Sequence, residues 1–441
     1  MTLRITATLS GLLWAQEEIP APQDLDVGRA YERLRTLQVS RVLIIVQNLP
    51  VPFDRRVWLE CRALVSAGHQ VAVICPKGKG DPRYAVIDSI ELYKYRPYAP
   101  GGFKAGFVTE YIYSFLATAW LTLKARRSGR FAIVQACNPP DIFWPIALLL
   151  RVFDRTAFVF DHHDLCPELY ESRFPDSPRL PYHGLLALER CTHRAADHVI
   201  ATNESYRDVA VRRSGKSSAD VTVVRSGPDP QRLVRQEPTP ELRRGRTHLA
   251  AYIGVMGPQD GVDIVVRAAA IVVHEFHRDD IAFTLIGSGD CYEGLVRLRD
   301  ELRLSGHVEF TGRIPDAEVA AILSTADIGL SPDPKNPLND VSTMNKTMEY
   351  MAYELPVVAF DLRETRVSAG DAAVYVAPNN VREYAKAIVQ LMDDEPTRAR
   401  LGKSGRVRVE QQLAWSQQER AYLDVYRKVL AGRQQGSRTG R

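Results

Sequence analysis

The sequence predicts an α/β protein built from two Rossmann-like, doubly wound parallel-sheet halves. Three observations predict it. Short, β-branched apolar runs alternate with segments of helical spacing along most of the chain. A single polar stretch, rich in Pro, Glu and Arg, interrupts the alternation at 227–248. The same rhythm then restarts and runs almost to the C-terminus. At roughly 100–200 residues per domain, a chain of 441 residues accommodates two such halves.

The elements follow in order. Residues 1–38 read as an irregular polar extension, "AQEEIPAPQDLDVG" included. "RVLIIV" (41–46) is a buried parallel strand, because both faces are apolar. "RRVWLECRALVSAGH" is a helix stopped by Gly68, and "QVAVIC" is the next strand. The apolar helical segment Phe107–Lys124 either packs on a core or faces a membrane, with "KARRSGR" on lipid headgroups. "FAIVQAC", "AFVFDHH", "DHVIATN" and "VTVVRSG" are further strands. Beyond the break come "LAAYIGV", "IAFTLIG", "VEFTG", "ADIGLSP", "PVVAF" and "AAVYVA", then helices to the end. The expected domains are 39–235 and 236–414, with a last helix and a basic tail at 415–441.

Composition narrows the class. A hydrophobic share of 45% and a charged share of 25% suit a soluble globular protein. A net charge of +4 is too weak at this length to imply nucleic acid as a partner. The six cysteines show no C-x-x-C pair and no zinc-type spacing, which predicts a reducing, cytoplasmic setting without disulfides. The longest apolar run, Tyr111–Leu123, falls short of the ~20 residues that span a bilayer. The expectation is therefore a cytoplasmic protein that does not cross the membrane, with contact at its inner face left open as the alternative.

In open parallel sheets, ligands bind beyond the carboxyl ends of the strands. Two such ends carry glycines: Gly254 and Gly257 in "YIGVMGPQDGVD", and Gly287 and Gly289 in "LIGSGD". These either let backbone N–H groups approach an anion or serve the turn alone. Neither fits G-x-G-x-x-G, which disfavours a dinucleotide oxidoreductase. A third end is "NDVSTMNKTMEYMAYELPVVAF" (339–360). Ser342 or Thr343 is a ready N-cap there, with Asn345 in the first turn. Lys346 and Glu349 share one helical face. The lysine can neutralise a diphosphate and the glutamate can accept two hydroxyls, or the pair can be an ordinary surface ion pair.

Read together, these segments resemble the family-4 glycosyltransferases, retaining enzymes of GT-B fold that use nucleotide sugars. The resemblance covers Ser40–Leu430. It rests on the order of "RRVWLECRALVSAGHQVAVICP", "DHHDLCPELY", "GVDIVVRAA", "IGSG", "VEFTGRIPDAEVAAILSTADIGLSP", "NKTMEYMAYELPVVAFDLRETRV" and "WSQQERAYLDVYRKVL". It implies two lobes facing across a cleft, with the C-terminal helix crossing back to the first. The donor would be a nucleotide-diphosphate sugar, with no cofactor and no metal requirement. The one literal D-x-D, Asp24 and Asp26, lies in the extension, and Asp333 stands alone as a carboxylate. The acceptor would be a saccharide or lipid-linked saccharide of envelope or exopolysaccharide synthesis.

The resemblance also assigns residues. Glu349 matches the second glutamate of E-x7-E, which holds the ribose. Gly312, Arg313 and Ile314 match the turn that holds the base. His163, or its neighbour His162, falls near the transferring sugar, and Asp164 and Glu168 follow on the same loop. Two departures stand out. Val341 occupies the place of the first glutamate, which leaves Asp340 to reach the donor sugar. Val255 and Asp260 replace the usual Arg and Lys of the diphosphate loop. Lys346 is the expected substitute, helped by Arg313 or by Arg55 and Arg56. A nucleotide-sugar 2-epimerase and a catalytically silent binding module are the alternatives.

Overall fold

The computed structural model describes residues 39–98, 104–176 and 178–439. The extension expected over 1–38 lies outside the described residues.

The first sheet has eight strands: β1 (Arg41–Ile45), β2 (Gln70–Pro76), β3 (Tyr84–Ile87), β4 (Ile90–Tyr95), β5 (Ile133–Cys137), β6 (Ala157–His162), β7 (His198–Ala201) and β8 (Val221–Val223). Their spatial order is β3-β4-β2-β1-β5-β6-β7-β8. The second has six: β9 (His248–Ile253), β10 (Ile281–Ile286), β11 (Val308–Gly312), β12 (Ile328–Ser331), β13 (Val357–Phe360) and β14 (Ala373–Val376). Their order is β11-β10-β9-β12-β13-β14. All pairings are parallel except that of β3 with β4. Both sheets reverse their strand order beside the first strand of each half, β1 and β9. A crevice opens at such a switch point.

The helices are α1 (Arg55–Ser66), α2 (Lys104–Arg126), α3 (Trp144–Asp154), α4 (Cys166–Arg173), α5 (Arg179–Ala195), α6 (Glu204–Ser214), α7 (Val262–Ala270), α8 (Tyr292–Glu301), α9 (Asp316–Thr325), α10 (Asn345–Ala352), α11 (Arg363–Ala369), α12 (Val381–Asp393), α13 (Glu395–Arg408) and α14 (Trp415–Thr439). The last of these crosses back. Its Trp415, Tyr422, Val425, Tyr426 and Val429 are buried with Val42, Ile44, Val57 and Cys61 of the first lobe. Fully burying an aliphatic side chain of this kind contributes about 1.5–3 kcal/mol, so the set anchors the helix firmly. The hydroxyls of Tyr422 and Tyr426 both donate to Gln135 Oε1, at 3.0 and 2.6 Å.

The β3–β4 hairpin is an element that the alternation rule does not reveal. Asp88 and Ser89 both have positive φ, 49° and 65°, as a two-residue hairpin turn of the I′ kind demands. The signal was an Asp-Ser pair between short alternating runs.

Beneath β6 lies an unusual pair. His162 and His193 are fully buried, with ring centroids 4.8 Å apart. Among the described residues, none of their four ring nitrogens has a hydrogen-bond partner. Burial pushes both below the usual histidine value, His193 to about 3. A histidine depressed in the folded state stabilises fully above the unfolded pKa near 6.5, and that contribution is lost as pH falls below it. At pH 5 the cost is about 2 kcal/mol per histidine. The drop in melting temperature between pH 7.5 and pH 5 should therefore be smaller in His193→Phe than in the native chain. Equal drops would refute the assignment.

Candidate functional site

The carboxyl ends of β1 and β6 meet those of β9, β12 and β13 through loops and helix starts of both lobes. Three clusters form there.

The first cluster surrounds Glu349. A cavity of about 230 Å³ is lined by Arg55, Arg56 and Trp58 of α1, by Ser226–Pro228, and by Asn345, Glu349 and Trp415. Glu349 projects from α10 into this space and meets Arg55 of the opposite lobe, with Arg55 Nη1 3.3 Å from Glu349 Oε1. Arg55 Nη2 also donates to Asp316 Oδ1 at 2.9 Å. Burial raises the Glu349 pKa, while Arg55 and Arg232 oppose the rise. Lys346 and Glu349, on one face of the helix, are thus not each other's partners.

The second cluster surrounds Lys346. Its ammonium is bonded to Asp333, whose other oxygen accepts the Ser331 hydroxyl at 2.7 Å. It also lies 5.3 Å from the Tyr252 ring centroid. Burial alone would lower the Lys346 pKa, but Asp333 and Asp260 raise it overall. Asp260, by contrast, is pushed up to about 6 by burial, against the pull of Lys346. Asp260 Oδ2 accepts the Gly257 N–H at 2.9 Å. Asp333 therefore has a partner, and Lys346 is not an uncommitted cation: Asp333 is bonded to it, and the charge of Asp260 acts on it through space.

The glycines explain why the loops converge. A Cβ on Gly254, whose φ is +157°, would lie 2.8 Å from the Tyr252 hydroxyl and 3.4 Å from Lys346 Cε. A Cβ on Gly287 would collide with the Gly254 carbonyl at 1.9 Å. A Cβ on Gly289 would lie 2.6 Å from the Met256 carbonyl oxygen. These residues let the β9 and β10 turns press together beside the lysine.

The third cluster is the first-lobe wall. His163 Nε2 lies 2.6 Å from Asp161 Oδ2. Arg56 Nη2 donates to Asp161 Oδ1 at 2.9 Å, and Arg56 Nε approaches His163 Nε2 at 3.0 Å. Arg56 also pairs with Glu60 and donates to Val224 O and Ser226 Oγ. Burial would raise the Asp161 pKa, yet Arg56 and His163 hold it far below the usual carboxylate range. Arg56 was expected to serve a diphosphate. Its guanidinium is instead committed to buried carboxylates at the cavity wall, and Arg55 is the member of the pair that meets Glu349. Cys137, Asp161 and His163 converge closely enough to suggest a metal, but the Arg56 guanidinium already serves the latter two. The His163 and Asp164 backbone N–H groups are held by Asn138 Oδ1, at 2.7 and 3.1 Å. His162 points the other way, into the core, so the choice between the two histidines falls on His163.

Several expectations need correction. Ser342 and Thr343 do not cap α10; Met344 holds the N-cap position without a side-chain bond. Their hydroxyls are taken by the first lobe. Tyr206 Oη is 2.8 Å from Ser342 Oγ, and Asn203 Nδ2 donates to Thr343 Oγ1 and Val341 O, both at 3.0 Å. The other end of the Asn203 amide caps α6 by accepting the Tyr206 N–H at 2.7 Å. Ser205 adds a bond to Glu364 at 2.6 Å. Val341 is apolar because, with Leu338, it packs on the first lobe's apolar cluster. Asp340 turns aside: its carboxylate accepts the Arg363 N–H at 3.1 Å and faces Lys335 at 3.6 Å. Arg313 reaches Ser288 Oγ at 3.2 Å and stands 5.8 Å from the Phe53 ring of the opposite lobe, while Ile314 packs on the second lobe's core. Asn203, Ser205, Tyr206, Glu364 and Trp415 were not foreseen; the N-cap pattern of "TNESY" was the available sign for the first three.

Comparison with known proteins agrees with this architecture. The family model described as Glycosyltransferase Family 4 matches residues 54–232, and that described as Glycosyl transferases group 1 matches 247–394. The chain is 26% identical over 251 residues to glycogen synthase of Mycobacterium tuberculosis, across 56% of this chain and 58% of that protein. It thus spans little more than half of that relative's length. Sucrose-phosphate synthase from Thermosynechococcus elongatus superposes with a TM-score of 0.72 at 19% identity, over 89% of this chain and 100% of that one. The catalytic domain of starch synthase IV from Arabidopsis thaliana, bound to ADP and acarbose, superposes at 0.65 with 14% identity, over 89% and 100%. With its two-sheet GT-B fold and both halves matched, the chain belongs to the glycosyltransferases of the family-4 type.

Proposed function

We propose that the protein is a retaining glycosyltransferase that moves a sugar from a nucleotide-diphosphate sugar to an acceptor hydroxyl. The observation that carries this reading is Glu349, presented by α10 to a cavity between the lobes. A carboxylate there can accept both hydroxyls of a ribose. The N-terminus of α10, which has no side-chain cap, adds a favourable field for the diphosphate. Binding of the ribose would release Arg55 from Glu349. Arg55 would then be free to offset the charge that develops on the leaving group. On the other lobe, His163 would contact the transferring sugar. In same-face displacement, the glycosidic C–O bond to the phosphate breaks as the acceptor oxygen attacks. The departing phosphate oxygen takes the acceptor proton, so no enzyme carboxylate need form a covalent intermediate.

The reaction would need neither a cofactor nor a metal. The acceptor would be a saccharide or lipid-linked saccharide, reached at the inner face of a membrane. A thermal-shift screen against UDP, GDP, ADP and dTDP sugars tests the donor class. Stabilisation by one of them, followed by its consumption with an acceptor, is expected. Stabilisation without turnover under every acceptor would identify a silent binder, and epimerisation without acceptor an epimerase.

Arg55→Ala separates two roles of that side chain. If Arg55 serves the diphosphate, the variant should bind the nucleoside diphosphate about tenfold more weakly while binding of the bare nucleoside is not weakened. Tighter binding of both would show that Arg55 only obstructs Glu349.

A further inference from the structure

Helix α2 carries an apolar stripe that the other described residues do not cover. Val108, Ile112, Leu116, Trp120 and Leu123 are each more than half exposed. At 100° per residue they fall within an arc of about 120° on one side of the helix. One side of the helix packs on the core through Leu121 and Ala125, and the stripe faces outward. The C-terminal end of α3 continues the stripe. Leu149, Phe153 and Val152 are exposed, the last by 77%. The two helix ends are fastened together, since Arg126 Nη2 donates to Asp154 Oδ1 at 2.7 Å and Arg130 reaches the same carboxylate at 3.3 Å. Large apolar side chains massed in this way are uncommon on a surface that faces only water.

The rim of this patch is basic. Lys124, Arg127, Arg130 and Arg155 are all exposed around the joined helix ends. The Lys124 ammonium sits 5.8 Å from the Trp120 ring centroid, at the boundary between the apolar and basic zones. Tryptophan beside lysine is the pairing that favours a membrane interface. Among the described residues, no helix is long and apolar enough to cross a membrane.

The geometry points to the α2–α3 face as a docking surface for an anionic lipid bilayer, with the apolar side chains in the acyl boundary and the cations among the headgroup phosphates. The charge pattern selects this occupant over a second copy of the chain. A two-fold contact would bring the basic rims of both copies together, and like charges at close range oppose such an interface. A bilayer of anionic lipids instead satisfies both zones at once.

The inference concerns a surface apart from the donor cavity and is tested without any nucleotide. The full chain is sedimented with phosphatidylcholine vesicles containing or lacking phosphatidylglycerol, at low salt. Binding should require the anionic lipid. Lys124→Gln, Arg127→Gln and Arg130→Gln together should weaken partitioning by about 100-fold, at roughly fivefold per cation. Trp120→Glu with Val152→Glu should abolish it. Both sites are exposed, so the melting temperature of that variant should match the native chain and certify its fold. Equal binding to neutral vesicles, or unchanged binding by the folded variants, would overturn the proposal. So would a dimer in light scattering that the Trp120→Glu and Val152→Glu variant dissociates, since a second copy would then be the occupant.

Discussion

Glu349→Ala is expected to weaken binding of the nucleoside diphosphate by about 30- to 150-fold, from the loss of charge-assisted bonds worth about 2–3 kcal/mol. The stability of the unliganded chain should barely change. Arg55, the partner of Glu349 across the cleft, is half exposed, and ion pairs of that kind contribute little. Glu349→Gln should fall between the two, because an amide keeps one acceptor but loses the charge. Isothermal calorimetry checks the affinities and a melting curve checks the fold. Native-like affinity in the alanine variant would remove the ribose assignment.

Lys346→Ala should act through stability as well as binding. The lysine is bonded to Asp333 and lies in the field of Asp260, and removing it leaves two acids in a site with little solvent. Breaking a buried pair from one side costs about 3–5 kcal/mol. The melting temperature should fall by on the order of 10 °C. A carboxyl whose folded pKa is raised, as that of Asp260 is, stabilises below its unfolded pKa and loses that contribution as pH rises. The deficit should therefore be larger at pH 8 than at pH 5. Lys346→Met with Asp333→Asn should recover much of the stability without recovering affinity for the diphosphate. An unchanged melting temperature in Lys346→Ala would mean that the cluster is not coupled to folding.

Apart from the β3–β4 hairpin, the strands of both sheets were legible because parallel strands buried on two faces read as continuous apolar runs. "RVLIIV" and "IAFTLI" are short for a helix and rich in β-branched residues, which favours a buried strand. The crossing of the last helix was legible only through resemblance; nothing in "WSQQERAYLDVYRKVL" says which lobe Tyr422 and Tyr426 enter. The misreadings share one cause. Ser342 and Thr343 look like caps locally, but their partners, Asn203 and Tyr206, lie more than 130 residues away. Arg55 and Arg56 are neighbours in sequence, yet on a helix they point about 100° apart. One enters the buried Asp161 network and the other the cleft, a division set by tertiary contacts alone. Val341 is the instructive case. As a missing glutamate it suggested a defective enzyme, whereas in the fold it packs against the first lobe.

The most direct test of the account is a double cycle at the ribose. Native chain and Glu349→Ala are each titrated with the stabilising nucleoside diphosphate and with its 2′,3′-dideoxy analogue. If Glu349 holds the diol, removing the hydroxyls should weaken binding by the native chain about as much as the substitution does, and should cost the variant almost nothing more. Full additivity of the two losses would place the pentose elsewhere and contradict the account.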